Sequence, residues 1–266
     1  MPRLLTLTTD FGTRDAYVAA MKGVMCSISP ALRMVDVTHE VTPQDVMEAA
    51  FVLREAVPYF PEDTVHLVVV DPGVGTARRP LALRSGGHWF VGPDNGLFPL
   101  ILDEASPDAA VVLDEPRFWR TPEPSTTFHG RDIFAPAAAH LSAGAPLDTL
   151  GSPAGPLEPL HWALPITEAE GIQGWVVHVD RFGNCITNIT RAAFKPHGTD
   201  HPLKCFVGTT VLEAVQPTYG AAPASEPLLL FGSSDHLEVA VNGGNAAELL
   251  DIRKGTPVDI VFPDER

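Results

Sequence analysis

The chain has 266 residues, 45% of them apolar and 19% charged, and a formal net charge of −15. That length supports one large core or two smaller ones, and the composition excludes a disordered chain. The acidity excludes a nucleic-acid footprint, which needs clustered Lys and Arg; it serves solubility, draws a cationic substrate, or both.

Strand and helix alternate through the first part. Leu4–Thr9 reads as a strand, Tyr17–Ile28 as a helix with Val18, Met21, Met25 and Ile28 at helical spacing, and Met34–Thr38 as a second strand. Asp45–Val57 reads as a helix, with cap chemistry in Thr42-Pro43-Gln44-Asp45 and a buried stripe of Ala49, Val52, Leu53 and Ala56. Val65–Val70 is continuously apolar enough for a strand covered on both faces, Leu81–Arg84 and Trp89–Gly92 are shorter strands, and Ile133–Ala143 is an Ala-rich helix. This alternation predicts a doubly wound α/β domain over residues 1–165, with ligands bound outside the carboxyl ends of its strands.

The stretch Gly151–Pro165 has a linker composition. Beyond it, short strands are separated by turn residues: Gly174–Val179, Cys185–Ile189, Leu203–Val207, Leu228–Phe231, Leu237–Val241 and Val258–Phe262. Only Asn245–Leu250 has helical period there. Residues 166–266 are thus predicted to form a small antiparallel β-barrel domain.

Cys26, Cys185 and Cys205 lack CxxC spacing, which argues against a disulfide scaffold or zinc ribbon. The N-terminus reaches Asp10 where a signal peptide would continue its apolar stretch, and no run approaches the ~20 apolar residues of a membrane span. A cytoplasmic protein is expected. Ten histidines are present, none in HxH or HExxH spacing, so no metal is expected; His39, His88, His140, His161, His178, His197 and His201 read as structural or surface residues. No Gly-x-Ser-x-Gly elbow is present.

Four segments place polar groups beside Gly or Pro at strand ends. In Thr8–Asp15, Asp10 closes the first strand, where a carboxylate accepts from ribose hydroxyls or caps a turn. In Val70–Arg79, Asp71 precedes Pro72-Gly73-Val74-Gly75, a tight loop that is neither a P-loop nor a dinucleotide fingerprint; Asp71 reads as a site carboxylate or a turn initiator, and Arg78 can fold back beside it or be a surface charge. In Thr126–Asp132, His129 precedes Gly130 and a helix start, and with Asp71 would make a base and an orienting carboxylate; a structural histidine is the alternative. Asp180-Arg181-Phe182-Gly183-Asn184 is a hairpin turn at least, and its carboxylate and amide also suit an amino-acid head group. Tyr219 is a loop aromatic fit either for packing or for stacking on a base.

Taken together, these segments resemble the S-adenosyl-L-methionine (SAM) hydroxide adenosyltransferase family, adenosine-forming SAM hydrolases related to the SAM-dependent fluorinase and chlorinase. The resemblance runs nearly end to end. It rests on Thr9-Asp10-Phe11-Gly12, Lys22-Gly23, Asp36-Val37-Thr38-His39, Thr42-Pro43, Val70–Thr76 and Gly92-Pro93-Asp94-Asn95-Gly96-Leu97. It continues through Thr127–Asp132, Asp180–Asn184 and Leu237-Glu238-Val239-Ala240.

The resemblance implies an N-terminal α/β domain, a C-terminal β barrel, and a homotrimer with SAM bound at subunit interfaces. It assigns the water-activating trio to Asp71, Arg78 and His129, and the ribose carboxylate to Asp10. The methionine contacts fall to Asp180 and Asn184, the adenine-stacking aromatic to Tyr219, and a further substrate contact to Ser233 in the loop Gly232–His236, which differs from the halogenase loop. SAM is then the substrate, no cofactor is required, and adenosine and methionine are the products. Asp71 and Gly130 stand where the fluorinase has Tyr and Ser around its halide, and the fluorinase insertion is missing between Arg84 and Phe90. A carboxylate repels halide yet holds water, so the expectation is hydrolysis. The alternatives are a SAM-dependent halogenase, a non-catalytic SAM or adenosine sensor, and a structural trimer with a vestigial site.

Overall fold

Strands flanked by amphipathic helices assemble the first part of the chain into a largely parallel sheet. The computed structural model describes residues 2–103, 105–161, 164–195 and 202–263 and divides into two compact units, Met1–His161 and Trp162–Arg266. His197 and His201, expected to be structural or surface residues, lie outside the described residues.

In the first unit, β1 (Leu5–Thr9), β2 (Met34–Thr38), β3 (Val65–Val69), β4 (Pro80–Ser85), β5 (His88–Pro93) and β6 (Ala109–Val112) form one sheet in the order β2-β1-β3-β5-β4-β6. The first four in that order are parallel, and β4 pairs antiparallel with β5 and β6. The helices are α1 (Tyr17–Ile28), α2 (Val46–Ala56), α3 (Leu97–Ile101) and α4 (Ala135–Ser142); α1 packs against α4, and α2 against α3. Asp45 caps α2 by accepting from Glu48 N at 2.9 Å, as its sequence predicts.

Leu5, Leu7, Val65, Leu67 and Val69 share a core with Met21 and Met25 of α1 and the alanines of α4. Residues between them in sequence face the other way. Thr6 and His66 are register partners across β1 and β3, joined Oγ1 to Nδ1 at 2.8 Å. His66 also lies 3.3 Å from His88 Nδ1 and stacks on Phe90. Because β2 and β3 lie on opposite sides of β1, the chain reverses its winding between β1 and β3. That is the crevice where open α/β sheets bind ligands, and Asp10 and Asp71 stand just beyond the carboxyl ends of these two strands.

The Pro-rich stretch after Gly151 is anchored to the first unit. Pro153 bridges to Val111, Glu158 N donates to Asp94 Oδ1 at 2.9 Å, and Arg79 bonds both Asp94 and the carbonyl of Pro156.

The second unit contains β7 (Ile166–Glu168), β8 (Gly171–Val179), β9 (Cys185–Thr190), α5 (Arg191–Phe194), β10 (Lys204–Val207), β11 (Thr210–Leu212), β12 (Val215–Gln216), β13 (Pro227–Phe231), β14 (His236–Val241), α6 (Ala246–Leu249) and β15 (Pro257–Val261). The pairing path runs β11-β10-β15-β8-β9-β14-β13-β12, with β7 on β8. The pairs are antiparallel except β12 with β13. Among the described residues this path does not close: the sheet is a curled half-barrel around Ile172, Val176, Leu229, Leu237, Val239 and Ile260. Cys185 and Cys205 are buried, and burial pushes their thiols up to about 11 and about 12, as expected of unreactive core cysteines. No helix among the described residues is long and apolar enough to cross a membrane.

Burial, and less so the charge of His88, lowers His66 from 6.5 to about 3. As pH falls through the unfolded value, the unfolded chain takes up a proton that the folded chain refuses until about pH 3, so stability falls across that window. Urea unfolding of the wild type is expected to weaken by up to about 1.4 kcal/mol per pH unit through this one group. The slope should be shallower in His66→Leu; parallel slopes would dismiss the histidine as its source.

Candidate active site

Val69 ends β3 and the chain turns at Asp71 into a loop that returns along itself. Two glycines and a proline make the return tight: Val74 N donates to Asp71 O at 3.2 Å and Thr76 N to Gly73 O at 3.1 Å. The return places the Arg78 guanidinium on the Asp71 carboxylate. Arg78 Nε lies 2.9 and 3.1 Å from Oδ1 and Oδ2, and Nη2 also bonds Oδ2. Only 8% of the arginine side chain and 6% of the aspartate side chain are exposed, so this is a buried bidentate ion pair.

The same Nη2 reaches His129 Nδ1 at 2.8 Å. A guanidinium only donates, so Nδ1 accepts and the ring proton of the neutral imidazole resides on Nε2. Burial and the facing Arg78 hold His129 below the ordinary histidine range, against the opposing pull of Asp71 and Asp132. Arg78 Nη1 is buried without a hydrogen-bond partner among the described residues, and its guanidinium sits over the Phe134 ring at 5.1 Å. The structure therefore brings together the three residues that sequence reasoning proposed as a water-activating trio.

His129 begins a π turn, Gly130–Phe134, that runs into α4. Helical spacing predicts a helix only from Ile133; the chain enters the helix earlier, through a wider turn that leaves Asp132 inside the protein. Such turns are common at functional sites. Gly75 makes the close approach possible. Its φ is +76°, and a Cβ there would lie 2.4 Å from the carbonyl oxygen of Thr126.

A cavity of about 360 Å³ opens beside the trio, lined by Asp10, Asp71 and His129 and by the rings of Phe11, Tyr17 and Phe128. These three rings pack edge to face or tilted, with centroids 5.3–5.8 Å apart. Asp10 does not cap α1, whose start at Ala16 has no side-chain cap. It accepts instead from Gln44 N at 2.8 Å, which draws the loop before α2 to the cavity. His39 is structural: its Nδ1 meets Thr9 Oγ1 at 2.9 Å and its Nε2 lies 3.1 Å from Asp36. Thr9 is fully buried, so this Asp–His–Thr line exposes no nucleophile.

In the second unit, Asp180 and Asn184 close the turn between β8 and β9. Asp180 Oδ1 accepts from the backbone N of Phe182 and Asn184, and Oδ2 from Asn184 Nδ2, each at 2.9 Å. The hairpin reading of this segment is thus what the geometry shows, with Asp180 and Asn184 paired to each other. Tyr219 is 41% exposed, and its hydroxyl donates to Glu238 Oε2 at 2.7 Å. Glu238 is a buried carboxylate in the apolar strand β14 that sequence reasoning quoted in a motif and gave no role; the signal was a lone charge at a strand position. Gly232 makes room for it, since a Cβ there would overlap Glu238 Oε1. Burial pushes the Glu238 carboxyl up more than the Tyr219 hydrogen bond holds it down, and the nearby Asp180 adds to the rise. Ser233 lies exposed on the turn that Gly232 N and His236 O close at 2.9 Å.

Residues 5–151 match the family described as the SAM hydroxide adenosyltransferase N-terminal domain, and residues 174–259 match its C-terminal domain. The (R)-S-adenosyl-L-methionine hydrolase of Thermus thermophilus is 45% identical over 265 residues, covering 95% of this chain and 97% of that protein. The protein of the same name from Salinispora tropica is 43% identical, covering 94% and 95%. A fluorinase from Actinoplanes sp. is more distant, 29% identical with 97% of each chain covered. The crystal structure of an uncharacterized conserved protein from Thermotoga maritima superposes with a TM-score of 0.91 at 37% identity, covering 97% of this chain and 100% of that one.

Gly75→Ala is expected to cost roughly 1–3 kcal/mol, from the left-handed backbone alone, and to part the Asp71 loop from Thr126. Chemical denaturation measures the first effect. Wild-type stability in the variant would mean that the close approach relaxes freely.

Proposed function

Because the chain belongs to the SAM hydroxide adenosyltransferase family, we propose that it hydrolyses S-adenosyl-L-methionine to adenosine and L-methionine. The observation that carries this reading is the half-buried Asp71–Arg78–His129 cluster beside the cavity at the carboxyl ends of β1 and β3.

The reaction is an in-line displacement. Water-derived oxygen forms a bond to the 5′ carbon while the carbon–sulfur bond breaks, its electron pair goes to sulfur, and methionine leaves as a neutral thioether. Attack of an anion on a sulfonium cancels opposite charges, so a site that strips water from both favours it. The groups divide the work. With His129 Nδ1 capped by Arg78, Asp71 is the acceptor for the proton of water, through a lone pair that Arg78 leaves unused. Arg78 steadies the developing hydroxide electrostatically through the carboxylate and imidazole that it holds. His129 orients the guanidinium and offers Nε2–H. A carboxylate at this position disfavours a halide, which sets this reading against halogenation, and mere ligand binding needs no such cluster.

Asp10 takes the ribose hydroxyls, Tyr219 the adenine, and Asp180, Asn184 and Ser233 the methionine part, without a cofactor. The α/β domain that carries the nucleophile, the β-barrel domain, the homotrimer with sites at subunit interfaces, and the cytoplasmic location belong to the same reading and rest on the family resemblance. The net charge of −15 suits a cationic substrate.

Incubation with SAM is expected to release adenosine and methionine in equal amounts, with no halogenated adenosine when chloride or fluoride is added. Asp71→Asn and His129→Ala should bind SAM and lose turnover; undiminished adenosine release from both would remove the cluster from the mechanism. Tyr219→Ala should raise the Kd for SAM by about 5- to 150-fold, the equivalent of a lost base stack of ~1–3 kcal/mol, and an unaltered Kd would take Tyr219 out of the site.

A further inference from the structure

Three residues beyond His129 lies a second buried carboxylate that the proposed chemistry leaves unused. Asp132 is 1% exposed. It accepts from Arg131 Nε and Nη2 at 2.7 and 2.8 Å, from Arg120 Nε, and from the backbone N of Ser125 at 2.9 Å. Its own backbone takes part as well: Asp132 O accepts from Arg120 N at 2.9 Å, and Asp132 N donates to Phe128 O at 3.2 Å. Burial alone would raise its pKa, but the bonds from Arg131, Arg120 and Ser125 overcome it and hold the group well below the usual carboxylate range. Asp132 is therefore a permanent anion that fixes both ends of the segment from Arg120 to itself.

That segment carries the cavity wall. Ser125 Oγ lies 3.2 Å from Thr127 Oγ1, and Thr127, Phe128 and His129 all line the cavity. Arg131, held by Asp132, lies 5.0 Å from the centre of the Phe128 ring. His129 thus sits midway between two fixed points: Thr126, pressed against Gly75, and Asp132. A histidine on an untied loop would have to be ordered anew for each turnover; this one is held beforehand.

We propose that Asp132 is a positioning residue for His129: by gathering Arg120, Arg131 and the Ser125 N–H, it closes the 120–132 segment into a loop that holds the imidazole against Arg78. The inference rests on the proposed hydrolysis for its kinetic consequence, and on geometry alone for its structural one. The charged groups facing His129 are Arg78 and Asp71 from the loop after β3, and Asp132 from its own turn. The two possible roles of Asp132 therefore have opposite signs. If it is only a nearby charge, removing it lowers the His129 pKa further. If it holds the loop, its loss lets the imidazole leave Arg78 and its half-buried place, and the pKa rises toward the ordinary 6.5.

The test uses Asp132→Asn and the milder Arg120→Leu, which removes one donor and leaves Arg131 and Ser125 in place. His129 is titrated by NMR of its ring, and turnover of SAM is measured in parallel. In both variants the His129 midpoint is expected to rise. In Asp132→Asn, kcat should fall by roughly 10²-fold, the scale of an ångström of misplacement at a reacting group, with KM unchanged. A midpoint that stays or falls, with wild-type kcat, overturns the proposal. If Asp132→Asn does not fold, Arg120→Leu decides by kcat, wild-type turnover overturning the proposal, because losing a cation raises the ring midpoint by charge as well. Wild-type protein that releases no adenosine would sink the hydrolysis reading alone, and the ring titration would still decide the role of Asp132.

Discussion

Asp71 and Arg78 keep opposite charges side by side with less than a tenth of either side chain exposed. Removing such a pair from water costs several kcal/mol per ion, and only close, well-directed hydrogen bonds offset it. The first unit supplies that geometry from its topology. β3 ends at the reversal of winding, Pro72 and two glycines turn the chain back within seven residues, and the core shared by α1, α4 and β3 supports the turn from below. Without the arginine the aspartate would be a buried, uncompensated charge. With it the carboxylate at the edge of the cavity has a guanidinium matched to both of its oxygens.

The imidazole is the third member of this arrangement and is subordinate to the second. Its Nδ1 lone pair is used by Arg78, so the cluster has one ring donor and one carboxylate acceptor rather than two competing bases. The second unit shows a similar economy. Its polar groups pair among themselves, Asp180 with Asn184 and Tyr219 with Glu238, and these bonds fix the orientation of the groups.

Much of the architecture was legible in the residue pattern. α1 and β2 have the predicted bounds, Tyr17–Ile28 and Met34–Thr38, and α2 differs by one residue at each end. The elements that escaped are short: α3, β6, β7, α5, β11 and β12 have two to five residues each, too few for any period to register. The π turn escaped because Gly130 and Asp132 look like the polar approach to a helix. At the site, spacing allowed Arg78 to return to Asp71 and residue type offered His129 as a base for that carboxylate, but only the resemblance made the three one cluster, since the Arg78–His129 contact spans 51 residues of chain. Asp132 and Glu238 had no assigned role. The partners of Asp132 lie within twelve residues on an irregular segment with no period to read, and Glu238 meets Tyr219 from outside its own strand.

Arg78 and Arg79 are neighbours in sequence with opposite assignments. Arg78 turns in to Asp71 and His129, while Arg79 turns out to Asp94 and the carbonyl of Pro156. One stretch of backbone therefore serves two anchors at a single register. Inserting or deleting even one residue between Asp71 and Arg78 would move both guanidinium groups at once, breaking the Asp71–Arg78–His129 cluster and the attachment of the Pro-rich segment together. Within the loop, Gly75 is set by its neighbour Thr126, and Thr76 bonds Gly73 O through its hydroxyl at 2.6 Å. Ala77, exposed, is the position best able to vary. Among relatives that keep both arginine contacts, this loop should drift in sequence at that one point and never in length.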